Sequence, residues 1–154
     1  MKFLDLVKPE AVKVVSTASS KKRLMQDIAA LAESAYGLPS GPTVEALMER
    51  EALGPTGVGE GVALPHARLR GLDKVVGVFI LLDKPVPFDS VDRQPVDLVC
   101  ALFAPEDAGV EHLKALALVS RSLRDAKRCS KLRANPDPGT IYTILTETEA
   151  EKAA

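Results

Sequence analysis

The chain has 154 residues, 46% apolar and 27% charged, with a net charge of −1. That length suits one domain, 1–154, and the apolar share suffices for a core. Near-cancelling charge argues against a dedicated nucleic-acid binder and, with the apolar content, against disorder. The first ten residues hold charges and no long apolar run, so no signal peptide is read there. No apolar stretch approaches the roughly 20 residues that span a bilayer, so membrane insertion is not expected. The two cysteines, Cys100 and Cys129, show no CxxC spacing. A cytoplasmic, disulfide-free chain is the simplest reading.

In chain order, Val12 to Val15 reads as an early edge strand. Ser19-Ser20 can cap a helix from Lys21, with Leu24, Ile28, Leu31 and Ala35 on one face and Gly37 as its stop. A second helix fits Pro42 to Leu53, with Val44, Leu47 and Met48 as its apolar stripe and Arg50 in its last turn. Three strand-like segments follow: Gly61 to Pro65, Lys74 to Leu82, and Pro95 to Phe103. The last two are long, apolar and β-branched, as buried central strands are. Between them, DKPVPFDSVDRQ has the composition of a loop. Gly109 to Arg124 predicts a helix capped by Asp107, with Val110, Leu113, Leu116, Ala117, Ser120 and Leu123 along its apolar face. Lys127 to Ala134 predicts a shorter helix, and Asp137-Pro138 opens a last one through Leu145. The mixed order implies an α/β fold, a single-domain sandwich. Its core runs from about 4 to 146 and a short C-terminal tail follows.

The stretch TGVGEGVALPHARL, Thr56 to Leu69, concentrates the chemistry. Glycines at every second position lead to Pro65-His66, and only one other histidine, His112, exists. His66 can be a turn residue, a metal ligand or a nucleophile. A zinc site needs three or four ligands, and two histidines 46 positions apart would need carboxylates or cysteines to complete one. As a nucleophile, a neutral imidazole with an ordinary pKa near ~6.5 can take a phosphoryl group on one ring nitrogen. Gly57, Gly59 and Gly61, with Thr56, would then let backbone N–H groups approach the phosphoryl oxygens. His112, near a helix start, is either a half-exposed helix residue or a second imidazole that bonds those oxygens. Arg50 either offsets its helix dipole or supplies a fixed positive charge.

Glu49-Arg50-Glu51 through Gly54, then TGVGEGVALPH and the segment PVPFDSVDRQPVDLVCALFAPEDAGVEHLKALALVSRSLRD, resemble the IIA domain of the fructose/mannitol class of the bacterial phosphotransferase system. The similarity covers roughly Leu4 to Leu145 and leans toward the nitrogen-related regulatory branch. It implies a mixed parallel and antiparallel β-sheet flanked by helices, with His66 as the phosphorylated histidine and His112 and Arg50 as its active-site companions. It implies phosphoryl transfer without metal, nucleotide or other cofactor. The implied donor is a small HPr-like phosphocarrier protein. The implied targets are regulated proteins such as potassium-transport components or sensor kinases, in place of a IIB domain of a sugar carrier. A sugar-specific IIA component and a binding module without transfer are the alternatives. The partner is expected to meet an apolar ring of Val62, Leu64 and Leu69, and the basic run Lys127 to Arg133 is read as a solvated helix face.

Three positions depart from the family pattern. Pro55 stands where a serine is usual, Glu60 where an asparagine is, and Ala67-Arg68 where a small residue and lysine are common. A carboxylate within about 6 Å of a phosphoryl charge would cost roughly 3 kcal/mol at an effective dielectric near 20. The Glu60 side chain is therefore expected to point to solvent.

Overall fold

The computed structural model describes residues 1–147; part of the expected C-terminal tail, residues 148–154, lies outside them. Among the described residues, six strands form an open mixed sheet, and six α-helices and a 3-10 turn (Pro9–Ala11) accompany it. The helices are α1 (Phe3–Leu6), α2 (Lys21–Tyr36), α3 (Ser40–Ala52), α4 (Val110–Arg124), α5 (Ala126–Ala134) and α6 (Pro138–Leu145). The strands are β1 (Val12–Val15), β2 (Gly57–Gly59), β3 (Val62–Ala63), β4 (His66–Leu69), β5 (Val76–Val86) and β6 (Val96–Pro105). The sheet order is β1-β5-β6-β3-β2, and β4 also lies along β6. β1 runs parallel to β5, β5 antiparallel to β6, and β3 and β4 parallel to β6.

β6 thus borders three strands, which explains why nearly all of it is buried. β5 and β6 place Phe79, Ile80, Leu98, Leu102 and Phe103 at the centre of the core. α2 and α3 pack on each other, while α4, α5 and α6 pack in succession and α1 rests on α4. The caps behave as their chemistry dictates. Ser20 accepts from the Arg23 N–H and Asp137 from the Thr140 N–H, and Gly37 ends α2. Cys100 and Cys129 are both free and buried.

Several expectations are corrected. α3 begins at Ser40, before Pro42, because the Pro39 carbonyl already accepts the N–H and hydroxyl of Thr43. β5 continues to Val86 through residues expected in a loop; Asp83, Lys84 and Pro85 are exposed there, and its register on β6 shifts after Leu81. α4 starts after Gly109, which offers no capping side chain, and Asp107 does not cap it. Its buried stripe is His112, Ala115, Val119 and Leu123. Val110 and Leu113 face out instead, at 64% and 66% exposure. The sequence of α4 is apolar on several sides, so tertiary packing selects which stripe turns inward. Nor is the basic run simply a solvated face. Arg128 is buried and donates to Ser122 Oγ. Arg133 makes a bidentate pair with Asp97, both N···O distances 2.9 Å, and also donates to the Glu60 carbonyl.

Candidate functional site

The short strands β3 and β4 explain the placement of His66. Val62 and Ala63 pair with Leu98 and Val99, and His66 and Ala67 pair with Leu102 and Phe103, so both segments keep one register on β6. Leu64-Pro65 is the joint between them. Pro65 has no N–H to give, but its carbonyl still accepts from the Leu102 N–H. Leu64 turns to the other edge. Its N–H donates to the Thr56 carbonyl at 2.9 Å. Its carbonyl lies beyond the end of β2 and meets His66 Nδ1 at 3.0 Å. A carbonyl only accepts, so Nδ1 carries the proton and Nε2 carries the lone pair.

Arg50 closes on that second nitrogen. It stands in the last turn of α3, and its Nε–H donates to His66 Nε2 at 3.2 Å. Its Nη1 donates to the Gly54 carbonyl at 2.9 Å, which holds the guanidinium across the end of the helix. His112 comes from α4, where it sits in the first turn. Its ring lies edge-on to that of His66, with centroids 5.5 Å apart and planes at 70°. The half-exposed reading of His112 gives way to a buried ring whose Nδ1 has no hydrogen-bond partner among the described residues. Arg68, two residues past His66, donates to the carbonyls of Glu106 and Ala108 and so clips the loop that leads into α4.

The electrostatics favour neutral rings. Burial lowers the pKa of His66 below 6.5, and the Arg50 charge adds to this; the Leu64 bond and Glu51 oppose it. Burial likewise lowers that of His112, helped by His66 and by Arg68. A neutral Nε2 lone pair beside a guanidinium, with a second imidazole against it, suits capture of a tetrahedral oxyanion group at nitrogen. Among the described residues, no group of three His, Cys, Asp or Glu could hold a metal ion.

The remaining expected residues have other neighbours. The Thr56 hydroxyl and N–H both go to the Glu51 carboxylate. A Cβ on Gly57 would overlap the Ser90 side chain, and one on Gly61 would strike Arg133 and Asp97. These glycines make room for the chain's own side chains, and no described contact brings Gly57, Gly59 or Gly61 to the His66 ring. Glu60 is exposed at the tip of the β2–β3 turn, with φ +58°. Its N–H donates to Asp92 and its carbonyl accepts from Arg133. Asparagine tolerates that left-handed conformation better than glutamate. Val62, Leu64 and Leu69 are buried and cannot form an apolar docking ring. The exposed apolar residues nearest in sequence to the site are Leu53, at 84%, with Val110 and Leu113. Sequence reasoning missed Glu51, although Thr43, Leu47 and Glu51 recur at helical spacing on the buried face of α3.

Residues 5–148 match the family model described as the phosphoenolpyruvate-dependent sugar phosphotransferase system, EIIA 2, and the chain belongs to that family. A nitrogen regulatory protein of Bradyrhizobium diazoefficiens is 47% identical over 153 residues, covering 99% of this chain and 100% of that one. That of Escherichia coli is 43% identical over 131 residues, covering 84% and 80%. The crystal structure of nitrogen regulatory protein IIA-Ntr from Neisseria meningitidis superposes with a TM-score of 0.84 at 34% identity, covering 92% of this chain and 97% of that one. The mixed α/β fold expected from the sequence is therefore the fold of this family, and the similarity makes the chain a regulatory component of a phosphotransferase system.

Proposed function

We propose that His66 Nε2 accepts a phosphoryl group from a histidine-phosphorylated carrier protein of the HPr type, and that the phosphorylation state of this ring controls the partners the protein binds. The observation that carries this reading is the bonding of the ring: Nδ1 anchored on the Leu64 carbonyl, Nε2 facing Arg50 at 3.2 Å, and His112 set 5.5 Å away. In the transfer, the P–N bond of the carrier breaks as the Nε2–P bond forms. The electron pair of the broken bond returns to the carrier's imidazole. The proton stays on Nδ1, hydrogen-bonded to the Leu64 carbonyl. The incoming phosphoryl oxygens take over the Arg50 donor that faces Nε2 in the resting ring, so the guanidinium passes from the nucleophile to the group being transferred. His112, at the first turn of α4, would bond an equatorial oxygen, and the helix N-terminus favours the negative charge. A phosphohistidine exchanges with a phosphohistidine, so the step is reversible.

Incubation with phosphorylated carrier should add one acid-labile phosphate, located on His66 by mass spectrometry. A His66→Ala variant that still gains it would overturn the reading. The regulatory role predicts a pull-down in which phosphorylated and unphosphorylated protein retain different partners, and no turnover with sugar-specific IIB domains. Rapid transfer to such a IIB domain would make this chain a transport component instead.

A further inference from the structure

The chemistry proposed at His66 leaves the buried carboxylate of Glu51 without a task. Glu51 follows Arg50 in the last turn of α3, and its side chain is only 5% exposed. A buried carboxylate is retained only when donors surround it. Oε1 accepts from Lys21 Nζ at 2.7 Å and from the Thr56 N–H at 2.9 Å, and Oε2 accepts from the Thr56 hydroxyl at 2.5 Å. These bonds do not end at Thr56. Its carbonyl accepts from the Leu64 N–H, and the Leu64 carbonyl meets His66 Nδ1. One helical turn therefore reaches both nitrogens of the ring, Nε2 directly from Arg50 and Nδ1 from Glu51 by way of Thr56 and Leu64.

We propose that Glu51 is a positioning residue for phosphoryl transfer: through Thr56 and Leu64 it fixes the edge of the sheet that orients the His66 ring against Arg50. This inference rests on the reading of His66 as acceptor. Thr56 lies between α3 and β2, and both its N–H and its hydroxyl bond the Glu51 carboxylate. With the carboxylate gone, the Thr56 N–H and hydroxyl lose their acceptor and Lys21 loses its closest partner. Among the described residues, Lys21 then retains Asp89 at 3.5 Å and the face of Phe88. The Leu64 carbonyl shifts with Thr56, the Nδ1–H bond weakens, and the tautomer with its proton on Nε2 gains population. That tautomer has no lone pair where the phosphoryl group would bind.

Two measurements on the full chain test this. In the unphosphorylated protein, side-chain ¹⁵N NMR of His66 should show a protonated Nδ1 and a bare Nε2. Glu51→Ala should mix the tautomers, and Glu51→Gln, which keeps an acceptor for the Thr56 N–H, should restore most of the original signal. In transfer from phosphorylated carrier, Glu51→Ala should lower the maximal rate about ten- to a hundred-fold, with the half-saturating carrier concentration unchanged and the Gln variant again recovering. Should Glu51→Ala fail to fold, Thr56→Val decides, with an expected loss of about two- to five-fold in maximal rate alone. Original tautomer and rate in folded Glu51→Ala, or an unaltered rate in Thr56→Val, would overturn the role of Glu51 while leaving His66 as acceptor. A wild-type protein that takes no phosphate on His66 would overturn both.

Discussion

The two imidazoles of the site are held in opposite ways. His66 has both nitrogens engaged, one by its own strand edge and one by α3. His112 sits in the first turn of an uncapped helix, its Nδ1 buried without a partner among the described residues, flanked by exposed Val110 and Leu113. The first ring is fixed before any reactant arrives. The second is placed by packing, and its approach loop is steadied by Arg68, through the carbonyls of Glu106 and Ala108, and by the exposed pair of Arg70 with Glu106. The contrast separates a reacting group, whose lone pair must be aimed, from an auxiliary group, which has only to be near and uncharged.

Substitutions can break that contrast, and the largest effect should come from Arg50. Arg50→Met removes the guanidinium that faces Nε2 and should slow phosphoryl uptake by about 10²–10³-fold in a time course with phosphorylated carrier. His112→Ala should cost about tenfold, as the loss of one ordinary hydrogen bond to the transferred group, with the circular dichroism of the fold retained. Equal losses for the two variants would mean that His112 steadies the transferred group as strongly as the guanidinium does.

The pH dependence sharpens the same point. Both rings have pKa values lowered in the folded chain, so the unfolded chain binds more protons as pH falls through 6.5. Their contribution to stability is complete above about 6.5 and is lost as pH falls toward the folded values. Urea titrations at pH 7.5 and 5 should show this fall, and it should shrink in a His66→Gln, His112→Gln double variant. The acid limb of the transfer rate should likewise lie below pH 6.5, because only neutral Nε2 attacks.

The smallest expected effect is at Glu60. Glu60→Asn relieves a left-handed glutamate and should stabilise the fold by roughly 0.5–1 kcal/mol, a rise of a few degrees in Tm, with transfer unchanged. A marked gain in transfer rate would show that the carboxylate repels the phosphoryl group after all.

Much of this was legible before any coordinates. Ser20, Gly37 and Asp137 announce their helix ends because capping is local chemistry, and β5 and β6 announce themselves by unbroken apolar runs. The pairing of Arg50, His66 and His112 came from motif resemblance, since nothing local tells that α3, β4 and α4 meet. β4 was hidden because His66 and Arg68 alternate with only two apolar residues, too short a pattern to read. The inward stripe of α4 was hidden because the helix has more apolar positions than the sheet can cover. Glu51 was overlooked because a charge in a helix is ordinarily solvated, and its three donors come from residues 5 and 30 positions away.

The unbroken alignment of β3 and β4 on β6 carries a demand on length as well as on residue type. Adding or deleting one residue between Ala63 and His66 would present the imidazole to the opposite side of the sheet, however conservative the inserted residue. Natural variants of this chain should therefore exchange one apolar residue for another at the buried Leu64 more readily than they change the count of residues from Val62 to His66.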